Sequence, residues 1–523
     1  MTGMRRMLMS GLGCLSSLVL SACGSAGAET PVGPVEVVFD STQEAVTGGF
    51  RLEPPKSQWD GYGEAVAVYG DVLVVGAPEW NYYGPGGAYV YRNMNGEWQQ
   101  EALLVAGGRD ESKMRAMDGE GQRLGTSVAA GEGIIAAGAP GTIQPADGGY
   151  GGAVYLFEFD GGSWRETARL TPGQVNTEQG GMEWLNYSRM RPRAFGSLVA
   201  LHGSTLAVAG DASGAVYIYR HAGEGWQEQA QVIVPGVPGR DLYVTSMSLS
   251  GDSLALSAIY PAPLEEEQSL LTGSVAVYVF ERRGDAWEES FRFVPDDGRV
   301  DYLFEKAFHL GASVALGGGS DRADLLAVGL PGFADWTGDL GEAWVGANPW
   351  QVPDFPPSPR QAGEVFLFAR SADGRWGFQT ALKPAGWHDP PGPGALFPSF
   401  PSHLDEPPDD FDEAAYFDAY IYPGHFFSAV PQITFFGATV DLDGDHLVVT
   451  SGFSNSTYLF ERQDGNWTYR LRLKPLNKKV ELWEDPTQGV ALHGRMFVLG
   501  TPSEFGNSAY VFDLCDPSML DCR

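Results

Sequence analysis

The chain has 523 residues and a formal net charge of −32, with 70 Gly, 35 Pro and only 19% charged residues. Abundant Gly and Pro, together with few charges in the apolar runs, indicate a folded β-protein rather than a disordered one. The acidic balance excludes nucleic acid and anionic membrane surfaces as favourable partners, because both repel a negatively charged protein.

The N-terminal stretch "MTGMRRMLMSGLGCLSSLVLSACGS" is typical of an export signal. Arg5 and Arg6 precede an apolar run that ends at Leu20 and is too short to span a membrane. We therefore expect residues 1–22 to be a signal peptide, and the chain without Arg5 and Arg6 would carry a net charge of −34.

The residues "LSAC", Leu20 to Cys23, resemble the bacterial lipobox. The resemblance implies cleavage before Cys23, a lipid on its sulfur, and a lipidated linker over residues 23–34. An ordinary secretory signal that happens to contain a cysteine is the alternative. The residue after Cys23 is Gly24, whereas an Asp at that position would resemble an inner-membrane retention signal. We therefore expect an exported lipoprotein of the outer membrane or cell surface. A periplasm-facing position is the alternative. The membrane is thus expected to be contacted through the lipid only.

The chain then repeats one hairpin six times. In each copy alternating apolar residues predict a strand, a short Gly-containing turn reverses it, and a Trp opens a second alternating strand. The copies are "GGAYVYRNMNGEWQQEALL", "GGAVYLFEFDGGSWRETARL", "GAVYIYRHAGEGWQEQAQV", "GSVAVYVFERRGDAWEESFRF", "GEVFLFARSADGRWGFQTAL" and "STYLFERQDGNWTYRLRL".

A pair of strands rich in small residues precedes each hairpin, and this pair occurs seven times. The copies begin at Gly63, Gly125, Gly196, Thr245, Gly311, Gly437 and Thr487. Strand pair plus hairpin makes a four-stranded antiparallel unit, and self-similar units in fixed order predict a β-propeller of seven blades.

The seventh unit, Gly489 to Leu514, contains only three strands. The stretch "GGFRLEPP" near the N-terminus resembles the ends of the outer strands, "ARLTP" and "LRLKP". We therefore predict that Phe50 to Pro54 is the fourth strand of the last blade and that the ring closes by pairing of the N- and C-terminal strands.

The pattern "G-x-S-V-A … L-x-V-G-A-P … G-A-V-Y-V-F … W" resembles the FG-GAP repeat of integrin-α-type propellers, in the form found in bacterial surface proteins. The resemblance covers residues 35–514 and is specific for the all-β fold, but not for an activity.

In such blades the loops between strands two and three and between blades open at one end of the ring. The long insertions all fall at that end, and we expect it to be the binding surface. The alternative is that the insertions only cover the end of the ring. The two largest are 332–362 and 385–436, and their candidate binding residues are Trp336, Trp344, Trp350, Trp387, Asp409, Asp410, Tyr416, Tyr420 and Tyr422. Aromatic rings beside carboxylates and prolines suit stacking on sugars or gripping a peptide, or else a small core within the insertion.

Integrin-type repeats often hold calcium in an Asp-rich turn. Here only "DLDGDH" approaches that pattern, with Asp441, Asp443 and Asp445, and the turn is short. It is a weak calcium candidate, and otherwise we expect no cofactor.

Cys515 and Cys522 remain after the signal peptide is removed and lie in the C-terminal segment "CDPSMLDC". An even pair in an exported protein predicts a disulfide, here closing a loop over residues 515–523.

We expect a propeller that binds a protein or glycan, or acts as an adhesion or scaffold module, and not an enzyme, because no catalytic motif is present. The alternative is an exported glycan-active enzyme that uses acidic residues of the second insertion. The residues that would serve it are His388, His403, His425, Asp389, Asp405, Glu406, Asp409 and Asp410.

Overall fold

The computed structural model describes the strands, the short turns and the roots of the longer loops. The described residues are 35–39, 46–54, 61–78, 85–108, 121–142, 151–172, 194–210, 214–223, 225–236, 242–261, 272–294, 300–301, 312–318, 322–331, 363–384, 436–451, 456–475, 489–501 and 508–515. The predicted signal peptide, Cys23 and the predicted linker lie outside them.

Three short strands come first in the chain: β1 (Val35–Phe39), β2 (Val46–Gly48) and β3 (Phe50–Leu52). Blades 1 to 3 follow, each an antiparallel sheet of four consecutive strands. Blade 1 is β4 (Val66–Tyr69), β5 (Val72–Ala77), β6 (Gly87–Met94) and β7 (Glu97–Leu104), followed by a single 3-10 turn, Ala106–Gly108. Blade 2 is β8 (Ser127–Gly131), β9 (Ile134–Ala139), β10 (Ala153–Phe159) and β11 (Trp164–Leu170); blade 3 is β12 (Leu198–His202), β13 (Thr205–Ala209), β14 (Ala215–His221) and β15 (Trp226–Ile233).

Blades 4 to 7 continue the same order. Blade 4 is β16 (Tyr243–Ser250), β17 (Ser253–Pro261), β18 (Thr272–Arg283) and β19 (Ala286–Phe293), with β20 (Val300–Asp301) paired to the start of β18. Blade 5 is β21 (Ser313–Gly317), β22 (Leu325–Leu330), β23 (Glu364–Arg370) and β24 (Trp376–Pro384). Blade 6 is β25 (Phe436–Asp443), β26 (His446–Ser451), β27 (Ser456–Gln463) and β28 (Asn466–Pro475); blade 7 is β29 (Val490–His493), β30 (Met496–Thr501), β31 (Ser508–Asp513) and β3.

The ring is closed, as the sequence predicts. The first strand of every blade contacts the first strands of both neighbouring blades, including β29 of blade 7 against β4 of blade 1. The N-terminal strand β3 pairs antiparallel with β31, with Phe50 opposite Val511 and Leu52 opposite Ala509. The chain is therefore a seven-bladed β-propeller sealed by its own N-terminal strand.

The two strands that precede β3 pair with outer edges in a way the sequence analysis did not predict. Strand β1 lies parallel to β24, so blade 5 has a fifth strand, and β2 lies parallel to β28 in blade 6. We call residues 35–48 the strap. Its two described strands, β1 and β2, lie on the outer edges of blades 5 and 6, and β3 follows in blade 7.

The core lies between the blades. Strand β5 is buried at all six positions, because each second strand is sandwiched between its own sheet partners and the faces of the adjacent blades. The buried apolar residues described here form seven clusters, and each cluster combines side chains of two neighbouring blades. Between blades 1 and 2, for example, Val74 and Val90 pack with Ile135 and Ala137. Burial of these side chains therefore stabilises the joints of the ring rather than separate blades.

Pairs of glycines allow four of the joints to close at backbone distance. A Cβ atom added to Gly138 of β9 would lie 1.9 Å from the carbonyl oxygen of Gly196 at the entry to blade 3. Gly196 itself has φ +91°, a conformation that L side chains rarely adopt. The same pairing joins Gly76 to Gly125, Gly329 to Gly437 and Gly500 to Gly63. The penultimate Gly of the second strand and the Gly at the entry to the next blade thus place these blades in contact.

The recurring Trp at the start of the fourth strand also contacts the preceding blade. Trp164 donates its indole N–H to Oε2 of Glu101 over 2.8 Å, and Trp467 donates to Oε1 of Gln379 over 3.2 Å. Both acceptors lie three residues after the Trp of their own blade. In blades 2 and 6 this hydrogen bond therefore joins the outer strand to that of the preceding blade.

We predict that Gly138→Ala lowers the free energy of unfolding by about 2–4 kcal/mol, because the new methyl group must displace the backbone of blade 3. Gly377→Ala is the matched control, since a Cβ atom at Gly377 meets no atom within 4 Å. We expect that control to stay within about 0.5 kcal/mol of the parent. Urea unfolding followed by Trp fluorescence measures both, and equal losses in the two variants would contradict the glycine-pair account.

Candidate functional site

The strand order places the loops at two distinct ends of the ring. Because the strands of each blade alternate in direction, the turns after the first and third strands open at one end, here called the short-turn end. The loops after the second and fourth strands open at the other, called the long-loop end. The roots of the two largest insertions, after β22 and after β24, both lie at the long-loop end.

These two insertions rejoin the ring at one point. Gly363 ends the first and Phe436 ends the second, and a Cβ atom on Gly363 would lie 2.0 Å from the carbonyl oxygen of Phe436. Gly363 has φ +74°, and Phe436 is fully buried with its ring edge-on to Tyr458, at 5.4 Å between centroids. The joint between blades 5 and 6 therefore holds the ends of both insertions in fixed positions.

A buried ion pair lies between the roots of the same insertions. Lys383, near the end of β24, places Nζ 3.1 Å from Oε1 of Glu364, the first residue of β23. Both side chains are largely buried, so the pair is shielded from water and holds the two strand ends together.

Blade 5 is also fastened to blade 4 at the short-turn end. The carboxylate of Glu281 on β18 is 1% exposed and contacts Arg370 over 2.9 Å and Arg322 over 3.0 Å, both from blade 5. It also accepts a hydrogen bond from the Ser253 hydroxyl over 3.1 Å. The two guanidinium groups and the hydroxyl group satisfy the hydrogen-bond acceptors of this buried carboxylate. These contacts hold blade 5, which carries the first insertion, against blade 4.

The aromatic and acidic residues predicted to bind a partner lie outside the described residues. They are Trp336, Trp344, Trp350, Trp387, Asp409, Asp410, Tyr416, Tyr420 and Tyr422, and the histidines and acids of the enzymatic alternative lie there as well. Their roles remain predictions, supported only through the described roots of the insertions. Cys515 is disulfide-bonded, whereas Cys522 lies outside the described residues, so their pairing also remains a prediction.

The calcium candidate at the short-turn end is engaged in hydrogen bonds between blades. Asp441 and Asp443 lie on β25, and only Asp445 lies in the turn. Oδ2 of Asp441 accepts the backbone N–H of Leu492 over 2.6 Å, and Oδ2 of Asp443 accepts that of Gly494 over 2.6 Å. The described part of the chain has no group of three His, Cys, Asp or Glu side chains that could hold a metal ion. The described residues therefore give calcium no support at this turn.

These two bonds belong to a series that extends around part of the ring. The hydroxyl groups of Ser246 and Ser248 on β16 accept the N–H groups of Val314 and Leu316 in blade 5, over 3.1 and 3.0 Å. The hydroxyl of Ser313 accepts the N–H of Val440 in blade 6 over 3.0 Å. First strands have one edge without a strand partner, and side chains of the preceding blade satisfy its donors.

The environment of Asp441 alters its acidity. Desolvation by the surrounding strands raises the pKa of Asp441 to about 6, and the N–H bonds from Leu492 and Leu442 only partly oppose that effect. The nearby charge of Asp443 raises it further. Beside this group, His493 stacks on Tyr69 of blade 1 at 4.6 Å between ring centroids and places Nδ1 3.7 Å from Oδ2 of Asp443. His493 and His202 end equivalent strands, the first strands of blades 7 and 3.

Sequence reasoning missed the strap, the buried Glu281 and the role of Asp441. One sequence feature accompanies the Asp441 contact. Ser246 and Ser248, like Asp441 and Asp443, are polar residues two positions apart on the first strand of a blade. Two-residue spacing places side chains on one face of a strand, here the face toward the next blade. Among the described residues there is also no helix long and apolar enough to cross a bilayer.

We predict a specific pH dependence from Asp441. A raised pKa means that the folded state binds the proton more tightly than the unfolded state, so this group's contribution to stability increases as pH falls through 6 toward 4. Relative to Asp441→Asn, the parent should gain about 1.4 kcal/mol in unfolding free energy between pH 8 and pH 5. Denaturant unfolding at both pH values measures the difference.

The control is Asp445→Asn, which removes an exposed carboxylate from the same turn. If Asp441→Asn keeps the full pH dependence of the parent, the assignment of that dependence to Asp441 is wrong.

No protein-family model matches the chain, and no curated protein matches its sequence. Similar solved structures include the WD40 domain of coronin from Toxoplasma gondii, at 10% identity and TM-score 0.39, covering 93% of this chain and 90% of that one. The periplasmic gluconolactonase PpgL of Pseudomonas aeruginosa is similar at 15% identity and TM-score 0.37, covering 79% and 85%. The β-propeller domain of the Trilobed protease from Pyrococcus furiosus is similar at 7% identity and TM-score 0.35, covering 86% and 97%. We draw nothing about function from likenesses this remote.

Proposed function

We propose that this chain is an exported, lipid-anchored propeller of the FG-GAP kind that binds a protein or glycan through its long-loop end, without catalysing a reaction. Cys23 would carry the lipid, and the partner would contact the insertions 332–362 and 385–436. Calcium would take no part.

The observation that supports this proposal most is the shared root of the two insertions. Gly363 and Phe436 are in backbone contact, and the Lys383–Glu364 ion pair ties the strands beside them. Recognition surfaces usually consist of loops on a rigid scaffold, and here two long loops end at one rigid joint. Together they can present a continuous surface to a partner.

The composition of the insertions indicates the chemistry of the partner. Three Trp residues in the first insertion and the Tyr-rich part of the second offer flat, rigid surfaces with little side-chain entropy to lose. Carboxylates beside them can accept hydrogen bonds from sugar hydroxyls or from peptide N–H and Lys or Arg groups. A neutral or basic glycan or protein surface fits this combination, and a polyanion does not.

We predict that replacing residues 385–432 with a short Gly-Ser linker abolishes capture of the envelope partner by residues 24–523 while leaving the ring folded. The reason is that the linker removes the recognition surface but keeps Lys383 and Phe436 in place. Immobilised protein, detergent-solubilised envelope and a glycan array provide the measurement, and thermal unfolding checks the fold.

The control variant carries Glu132→Ala and Asp285→Ala in turns of the short-turn end and should bind as the parent does. Undiminished binding by the Gly-Ser variant would remove the second insertion from the proposal. Turnover of a polysaccharide by the parent, lost in a variant with His403→Ala and Asp405→Ala, would replace binding by glycan cleavage.

A further inference from the structure

The strap fixes the direction from which the N-terminal segment reaches the ring. Val35 lies opposite Thr380 and Phe39 opposite Pro384, in a parallel pair. Strand β24 runs from the short-turn end at Trp376 to the root of the second insertion at Pro384. Strand β1 therefore begins on the side of blade 5 nearer the short-turn end and runs toward the long-loop end.

We infer that the lipid anchor presents this propeller with its short-turn end toward the membrane and its long-loop end away from it. The inference rests on the proposed anchor at Cys23 and specifies which surface of the anchored molecule is free for a partner.

Chain length supports this orientation. Residues 24–34, "GSAGAETPVGP", number eleven, which span about 36–40 Å when fully extended and about 17–20 Å as a flexible coil. From Val35 to the start of β24 the rim measures about 13 Å, the rise of four residues. Either length exceeds that distance, so eleven residues are enough to reach past the short-turn end. To bring the long-loop end to the membrane, the chain would have to reverse at Val35 and extend past the roots of both insertions.

Charge favours the same orientation. Residues 385–435 contain eight Asp and Glu residues and neither Lys nor Arg, so anionic lipid headgroups repel this end of the ring. Many acids of the short-turn end have a cation beside them. The ion pairs between Asp and Arg at this end are Asp71 with Arg92, Asp160 with Arg165, Asp252 with Arg282 and Asp373 with Arg375. Their fields largely cancel within a Debye length, about 8–10 Å at physiological salt.

Energy transfer to the membrane surface tests the orientation. Full-length acylated protein would carry one new cysteine with a donor dye, either Glu132→Cys in the turn after β8 or Gly236→Cys at the end of blade 3. Both positions are exposed, and a Cβ atom at Gly236 meets no atom within 4 Å. The vesicles contain phosphatidylethanolamine, phosphatidylglycerol and a headgroup-labelled acceptor lipid.

We expect several-fold greater transfer from the dye at Glu132→Cys than from the dye at Gly236→Cys. Equal transfer, or greater transfer from Gly236→Cys, would overturn the orientation while leaving the anchor intact. Vesicle binding that persists in Cys23→Ser would instead show that the proposed lipid anchor is wrong, and the orientation would be wrong with it.

A strap variant separates orientation from simple tethering. Replacing "VEVVF", Val35–Phe39, with Gly-Ser-Gly-Ser-Gly keeps the length of the chain but removes the β-branched residues that favour pairing with β24. Vesicle binding should be retained, and the difference in transfer between the two dye positions should fall. An unchanged difference would show that the strap does not orient the ring.

Discussion

Close approach of backbones at the joints is the constraint on which the rest of this ring depends. Four joints bring a glycine of one blade against a glycine at the entry to the next, at distances where a methyl group would overlap a carbonyl oxygen. Blades held this close bury nearly all residues of their second strands, and the apolar clusters therefore span neighbouring blades. The contacts between neighbouring blades therefore stabilise the fold. The roots of the insertions inherit this rigidity, because the Gly363–Phe436 contact belongs to one of the same joints.

Closing a ring of sheets leaves two kinds of strand edge, and this chain satisfies them differently. The inner edges face the axis, where side chains of the preceding blade accept their N–H groups, as Ser246 and Asp441 do. Among the outer strands, β3, β7, β11, β15 and β19 have no strand partner outside them in the described residues. Strand β3 carries Arg51, and each of the other four carries Glu. Strands β24 and β28 carry no acidic residue, and the strap covers both. Charge on exposed edges and coverage of the others are two means of preventing edge-to-edge association.

The sequence predicted the ring because the information for it is local and repeated. Alternation and Gly turns recur in every unit and the Trp in six of them, and the missing fourth strand of the last blade led directly to Phe50. The strap was missed because parallel pairing of three to five residues has no turn and no fixed spacing that would link Val35 to Thr380. Glu281 was missed because its two Arg partners come from another blade, 41 and 89 positions further along the chain. The insertions are rich in aromatic residues, Pro and acids, but these residues do not recur at a regular spacing. Their residue types therefore indicate a binding chemistry, whereas their geometry could not be predicted.

The Asp residues of blade 6 illustrate how similar sequence patterns serve different chemistry. Alternating Asp residues beside Gly are typical of calcium loops, because several oxygens must converge on one ion. Here the alternation has the two-residue period of a strand, so Asp441 and Asp443 point to one side, where the N–H groups of Leu492 and Gly494 lie. Those donors carry partial positive charge and take the place that a cation would otherwise fill for the carboxylates. The same residues that could have held a metal at the turn thus fasten blade 6 to blade 7. That joint adjoins the strand pair that closes the ring.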